Sequence, residues 1–369
     1  MKTMPTPTEK RKSDHLKISL KEDVQAKQTT TGFEDVHLVH KALPEIEREK
    51  IDLSTVAFNH EFSAPLIVGA MTGGAPEARK INKAIAEAVE QLRLGMGVGS
   101  QRAAIEDPSL ENTFAVTRKK APTAFLIANI GGPQLVRGYG VKEARKAIKM
   151  MDANALAIHL NPLQETIQLE GETNYTGILN KIREIAEAID VPVIVKETGA
   201  GISAEEAKLL KTAGVAGIDV AGAGGTSWAA VEYHRARRDQ NELRQRLGKA
   251  FWDWGIPTVA SLVETVQSVN LPVIASGGVR SGIEVAKALA LGASLASMSL
   301  PILPSATEGE EGVKKELQLM LEELRNTMFL VGAGSIKEIK VAPAVIAGKT
   351  AEWLRARGFH PEAYAKRKR

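Results

Sequence analysis

Eight short apolar runs, each closed by Gly, Asn, Thr or Ser and followed by a helical pattern, predict an α/β fold: an eightfold (β/α) TIM barrel with an N-terminal extension and a long insertion after strand 6. The runs span 65–70, 94–99, 124–130, 155–160, 192–197, 217–221, 272–276 and 295–299. Their commonest interval is roughly 30 residues, the length of one βα unit. The sequences between runs differ, which excludes a solenoid repeat. Near-continuous apolarity within each run predicts strands covered on both faces, hence a parallel sheet. A length of 369 residues suits one barrel with additions.

In chain order, residues 1–60 form a charged, weakly structured extension and 61–369 the barrel. Helical periodicity covers 77–92, 177–188, 204–213, 281–291 and 310–326, and Ser203 with Glu206 makes a capping box at the third of these. The unit between the sixth and seventh runs is too long. Its excess, about 223–254, is rich in Arg, Gln and Trp and lies where a lid would lie. There Trp228, Trp252 and Trp254 either fold over a ligand or pack against a neighbouring subunit.

Composition removes several function classes. Lys and Arg number 48 against 44 Asp and Glu, a net charge of +4, with the surplus at Lys10-Arg11-Lys12, at Arg235 and Arg238, and in the tail Lys366–Arg369. The tail reads as solvated surface, and nucleic-acid binding gains little support. With no cysteine there is no disulfide, thiolate nucleophile, iron–sulfur cluster or thiolate zinc site. The polar N-terminus lacks a signal-peptide core, and no stretch approaches the roughly 18 apolar residues of a membrane span. A soluble cytoplasmic protein with no membrane partner is expected.

Strand C-termini of a barrel converge on one mouth. The first run delivers Met71, Thr72, Gly73 and Gly74 there, the second Ser100, Gln101 and Arg102, and the third Asn129. The fourth brings His159, Asn161, Gln164 and Glu165; the fifth brings Lys196, Glu197 and Thr198; the sixth brings Gly224, Gly225, Thr226 and Ser227. After the seventh, Gly277 and Gly278 let main-chain N–H groups approach an anion at the N-terminus of the helix from Ser281, where the macrodipole adds about half a positive charge. Lys196 closes the apolar stretch Val193-Ile194-Val195, so its ammonium pairs with Glu197 or Asp219, or it meets an electron-rich heterocycle such as reduced flavin. Combined with the phosphate turn, the second reading points to flavin mononucleotide (FMN).

The ordered segments RKSDH (11–15), AMTGG (70–74), GSQR (99–102), NPLQE (161–165), KETGAGIS (196–203), DVAGAGGTSW (219–228) and ASGGVRSG (275–282) closely resemble type 2 isopentenyl diphosphate isomerase, an FMN-dependent barrel. The resemblance runs from about Arg11 to about Pro301, and its specificity lies in RKSDH and NPLQE. It implies flavin contacts at Ala70, Met71, Thr72, Gly73, Ser100, Asn129, Lys196, Thr226, Gly278, Val279, Arg280, Ala296 and Ser297. It also makes the extension a substrate-binding arm, with Arg11, Lys12 and His15 joining the Ser100-Gln101-Arg102 turn on a diphosphate. Glu165 resembles a Mg²⁺ ligand, Gln164 the residue at the substrate's hydrocarbon end, and His159 and Asn161 line the same mouth.

The reaction so implied is reversible movement of a double bond between isopentenyl and dimethylallyl diphosphate, without net oxidation. Reduced flavin, its charge balanced by Lys196, exchanges protons near N5, while Gln164 orients or relays and His159 assists. NADPH as reductant and a homo-oligomer, tetramer or octamer, also follow from the resemblance. Two alternatives stand beside it. A redox flavin barrel needs a cysteine, or a histidine after its sixth or seventh strand, and DVAGAGGTSW and ASGGVRSG contain neither. A non-catalytic phosphate-binding barrel would have no use for Arg102, Gln164, Glu165 and Lys196 at one mouth.

Overall fold

The computed structural model describes residues 7–367, so Lys368 and Arg369 of the basic tail lie outside the described residues. Eight parallel strands close on themselves: β1 (Leu66–Val68), β2 (Gly95–Gly97), β3 (Phe125–Gly131), β4 (Ala155–His159), β5 (Val193–Lys196), β6 (Gly217–Asp219), β7 (Val273–Ala275) and β8 (Leu295–Met298). Each lies within its predicted run except β3, which continues one residue further, to Gly131. Helices Pro76–Leu92, Ile178–Ala188, Ala204–Thr212, Gly282–Ala290 and Glu310–Leu330 occupy the five periodic segments, and the Ser203–Glu206 capping box forms.

Pairing register places the functional groups. His159 lies beside Lys196, and Lys196 beside Asp219, so three strands end in adjacent titratable side chains. Below this rim the barrel is solid. Ile67, Phe125, Ile127, Ile194, Ile274 and Leu295 fill the interior, and the hairpin of Thr55–Ala57 and His60–Phe62 plugs the far end, with Phe58 stacked on Phe125 at 5.9 Å. With that end filled, the polar strand ends gather at the C-terminal mouth.

The extension departs from expectation. It is structured: Pro7–Lys21 is a helix, and Val36–Leu38 pairs antiparallel with Ala344–Ile346. A helix that is mostly charged gains little from its own sequence, and its order comes from tertiary packing. Ile18 and Val24 bury against Ala230, Val231 and Trp252 of the insertion, which folds as helices Trp228–Arg238 and Glu242–Ala250 capped by Ser227 and Asn241. Burying an Ile and a Val contributes about 1.5–3 kcal/mol each. Residues 24–31 then run across the barrel mouth: Ala26 N–H donates to Gly225 O (2.9 Å), and the Asp253 carboxylate accepts from Lys27 (2.6 Å), Gln28 (2.8 Å) and Thr29 (3.1 Å).

The tail also differs from a solvated run. Arg367 donates to the carbonyls of Ala290 and Lys340 and lies 4.3 Å over the Tyr364 ring. Among the described residues no helix is long and apolar enough to cross a membrane.

Candidate active site at the barrel mouth

The mouth opens into a cleft of about 1610 Å³, counted out to solvent. Most residues singled out from sequence meet there. The arm contributes Arg11, Lys12 and His15; the ends of β1 to β3 contribute Ala70, Met71, Thr72, Ser100, Arg102 and Asn129. His159, Asn161, Gln164, Glu165, Lys196 and Thr226 follow, with Gly278, Val279, Arg280 and Ser297 completing the wall.

Of the flavin and substrate contacts that the resemblance implies, three do not face it. Gln101 is fully buried and turned outward, its Nε2 donating to Ala147 O (2.8 Å) and its Oε1 accepting from Asn129 N–H (2.8 Å). It braces the turn whose flanking Ser100 and Arg102 reach the cleft. Gly73 packs under Phe114, whose ring would lie 1.9 Å from any Cβ added there. Ala296 sits inside β8 between Ala275 and Leu66, and the next residue, Ser297, turns to the cleft.

Lys196 Nζ donates to the main-chain carbonyl of Glu197 rather than to a carboxylate. Glu197 Oε2 is occupied by the N–H groups of Thr198 and Gly199, each at 2.6 Å, and of Ala200; burial still pushes this acid up to about 7. Asp219 accepts from Ser276 Oγ, and burial raises it as well. The ammonium thus stands beside two carboxyl groups whose charge is weakened by desolvation. His159 Nδ1 donates to Asn129 Oδ1 (2.8 Å), whose amide nitrogen is committed to Val98 O (2.9 Å). Burial first, then the Lys196 charge, push the imidazole down to about 3, so it is neutral and offers Nε2 as an acceptor.

A buried chain of hydrogen bonds runs through Gln164. Asn161 Nδ2 donates to Gln164 Oε1 (3.0 Å) and to Glu165 Oε1 (2.9 Å), while Gln164 Nε2 donates to Glu232 Oε1 (3.1 Å). His15 Nε2 (2.8 Å) and Arg235 (2.7 Å) also donate to Glu232. Burial alone would raise the Glu232 carboxyl, but His15, Arg235 and the Gln164 amide outweigh it and hold it down at about 2. An ionised Glu232 only accepts, which fixes the orientation of the Gln164 amide. His15 meets Trp228 edge-on at 5.2 Å, so arm and insertion together roof this end.

Arg11 and Lys12 point into the roofed end, where Glu165, Glu170 and Glu232 act on them only over distance. Burial, then the repulsion of Arg11 and Arg102, depress Lys12 to about 7. Arg102 is paired with Glu106 (2.7 Å), but among the described residues Arg11 and Lys12 have no ion-pair partner, and cations so clustered define an anion site.

At the opposite end, the helix from Ser281 does not offer its own terminus. Gly282 N–H goes to Glu323 (2.7 Å), Glu284 N–H to Ser281 Oγ (3.2 Å), and Arg280 N–H to Glu284 (2.6 Å). The turn before it is free: among the described residues no acceptor pairs with the N–H groups of Gly277, Gly278 or Val279. Gly278 has φ +74°, a conformation that glycine tolerates without strain.

A family model described as FMN-dependent dehydrogenase matches residues 141–346. The chain is 51% identical to the isopentenyl-diphosphate delta-isomerase of Methanosarcina barkeri over 98% of each chain, and 49% identical to that of Pyrococcus furiosus, covering 95% of this chain and 90% of the relative. It belongs to the type 2 isopentenyl-diphosphate delta-isomerase family. Solved structures add the fold: a Pediococcus acidilactici lactate oxidase superposes with a TM-score of 0.64 at 20% identity, covering 90% of this chain and 87% of the other. A flavocytochrome b2 variant with sulfite bound gives 0.65 at 19%, covering 93% and 84%.

Within this isomerase-family barrel, Glu232 and Gln168 are polar site groups that sequence patterns do not flag, and the sequence names Asp219 only as a partner for Lys196. Gln168 Nε2 donates to Glu165 Oε2 (2.6 Å), and Glu172 N–H to the same oxygen (2.7 Å). A glutamate inside an Arg-rich helix reads as solvated surface. Glu232 is buried by elements far away in the chain, the arm helix through His15 and the helix Pro162–Ile167 through Gln164. Asp219 carried a usable signal, as an acid closing an apolar strand next to Gly-rich sequence.

Proposed function

We propose that the chain interconverts isopentenyl and dimethylallyl diphosphate, using reduced FMN and Mg²⁺. The observation that carries this reading is that one cleft joins main-chain N–H groups unpaired among the described residues and a half-buried lysine at one end to the clustered cations Arg11, Lys12 and Arg102 at the other. Such a cleft suits two anionic ligands held together. Flavin fits the first end: Gly278 and Val279 donate to its phosphate, and Lys196 balances charge on the ring. Bound and reduced, FMN supplies an electron-rich surface beside a developing carbocation and a ring nitrogen that exchanges protons.

Arg11, Lys12 and Arg102 hold the diphosphate, and the roof of His15 and Trp228 excludes water from the hydrocarbon part. Water would otherwise trap a carbocation. Gln164, pinned between Asn161 and Glu232, presents a fixed amide to the substrate; with Glu232 held ionised, the pair orients and stabilises rather than supplying a strong acid. His159 accepts through Nε2. Glu165 fits Mg²⁺ as a single ligand: three donors use three of the roughly four lone-pair sites of a carboxylate. Remaining ligands come from waters and diphosphate oxygens. NADPH as electron donor and a homo-oligomer belong to the same reading, the latter checked by light scattering.

The test is an absorbance spectrum of purified protein, then an anaerobic assay with dithionite, isopentenyl diphosphate and Mg²⁺. A flavin spectrum and product formation without a net change in flavin redox state are expected. Protein without flavin, or flavin consumed stoichiometrically, overturns the proposal. Lys196→Ala should lower turnover of the reduced enzyme about a hundredfold, by the size of one lost electrostatic stabiliser.

A further inference from the structure

We infer that Glu197 is a positioning residue, whose carboxylate folds the turn after β5 into the shape that holds the Lys196 ammonium at the cleft. Oε2 of Glu197 gathers three successive N–H groups, from Thr198 (2.6 Å), Gly199 (2.6 Å) and Ala200. Its own main chain ties the same point to two neighbours: the N–H donates to Asp219 O (3.2 Å) on β6, and the carbonyl accepts from Lys196 Nζ. Such a ring of donors bends the backbone sharply. Gly199 takes φ +148°, and a Cβ there would meet Thr226 O at 3.0 Å.

The turn so formed is a wall between two spaces. Thr198 and Gly199 face the main cleft, whereas Glu197, Ala200 and Gly201 face a second, apolar cavity of about 1460 Å³, counted out to solvent and flanked by Trp254 and Trp353. Among the described residues no other acceptor pairs with the three N–H groups. Without an acceptor of full reach the three would lose their common partner, and the turn would reorganise to bond them separately, to water or to other groups. The carbonyl that anchors Nζ belongs to the first residue of that turn, so reorganisation displaces the ammonium.

This inference rests on the flavin reading for its consequence, and its test separates the two. Glu197→Gln keeps an acceptor oxygen at full reach, whereas Glu197→Asp keeps the charge and withdraws it by one methylene. On full-length protein as purified, acetic anhydride labelling of Lys196 is measured by peptide mass spectrometry against the exposed Lys50. The flavin midpoint potential is measured alongside. Glu197→Asp is expected to change Lys196 labelling at least threefold. It should also shift the balance of reduced to oxidised flavin about tenfold in the direction of Lys196→Ala, about 30 mV for a two-electron couple. Glu197→Gln should keep both near the parent values. Unchanged labelling in the Asp variant, or equal effects of Asp and Gln, overturns the inference, whatever happens to the melting temperature. Absence of flavin would sink the proposed function yet leave the labelling result readable.

Discussion

At its β7 end the cleft presents main-chain N–H groups from a glycine turn; at its roofed end it presents the side-chain cations Arg11, Lys12 and Arg102. The first set is fixed by a barrel strand and by the residues packed over it. A Cβ on Gly278 would lie 2.4 Å from Thr31 and 3.0 Å from Gly225. The second set is carried largely by a helix outside the barrel, seated through His15 on Glu232 and through Ile18 on the insertion. Preformed amides suit a ligand that stays, and cations on a separable helix suit one that exchanges each turnover.

Removing both arm cations tests the contrast most severely. Arg11→Ala with Lys12→Ala deletes two charge-assisted contacts worth about 1.5–3 kcal/mol each, so the Kd for isopentenyl diphosphate should rise at least about a hundredfold, read by calorimetry. FMN affinity should not move. If it falls equally, the two ends are not independent.

Gly278→Ala should give the reverse signature. Its φ of +74° and the crowding by Thr31 impose strain of about 1–3 kcal/mol. FMN dissociation followed by fluorescence should weaken about tenfold or more, with KM for the diphosphate within about twofold of the parent.

The smallest effect is a pH dependence confined to the roofed end. Lys12 titrates at about 7 in the free protein, and a bound diphosphate raises it. Binding therefore takes up a proton above pH 7, and affinity declines by at most about tenfold per pH unit there while staying flat below about pH 6. Calorimetry in buffers of different ionisation enthalpy measures that uptake, and Lys12→Arg should abolish it.

The barrel was legible because its signals are local: eight apolar runs, a capping box, and polar residues at each strand end. The same logic over-reached at Gln101 and Gly73. Consecutive residues of a turn point in different directions, and position at a strand end does not say which faces inward. The helix Pro7–Lys21 and the buried Glu232 were illegible for a shared reason. Each is buried in part by the other's element, with |i−j| = 217 for His15 and Glu232, so neither helix alone carries an apolar stripe that announces it. Lys196 lay between; sequence marked it as a cation needing a partner, but a main-chain carbonyl is an acceptor that no residue pattern reveals.

The arm across the mouth also sets an order of events during synthesis. Gln25 bonds Arg280, and the N–H groups of Lys27 to Thr29 bond Asp253, so during synthesis this segment has no seat until 224 to 255 further residues have followed it. Contacts so distant along the chain form late. Until those partners have been made, the nascent barrel passes through an interval in which its mouth stands open.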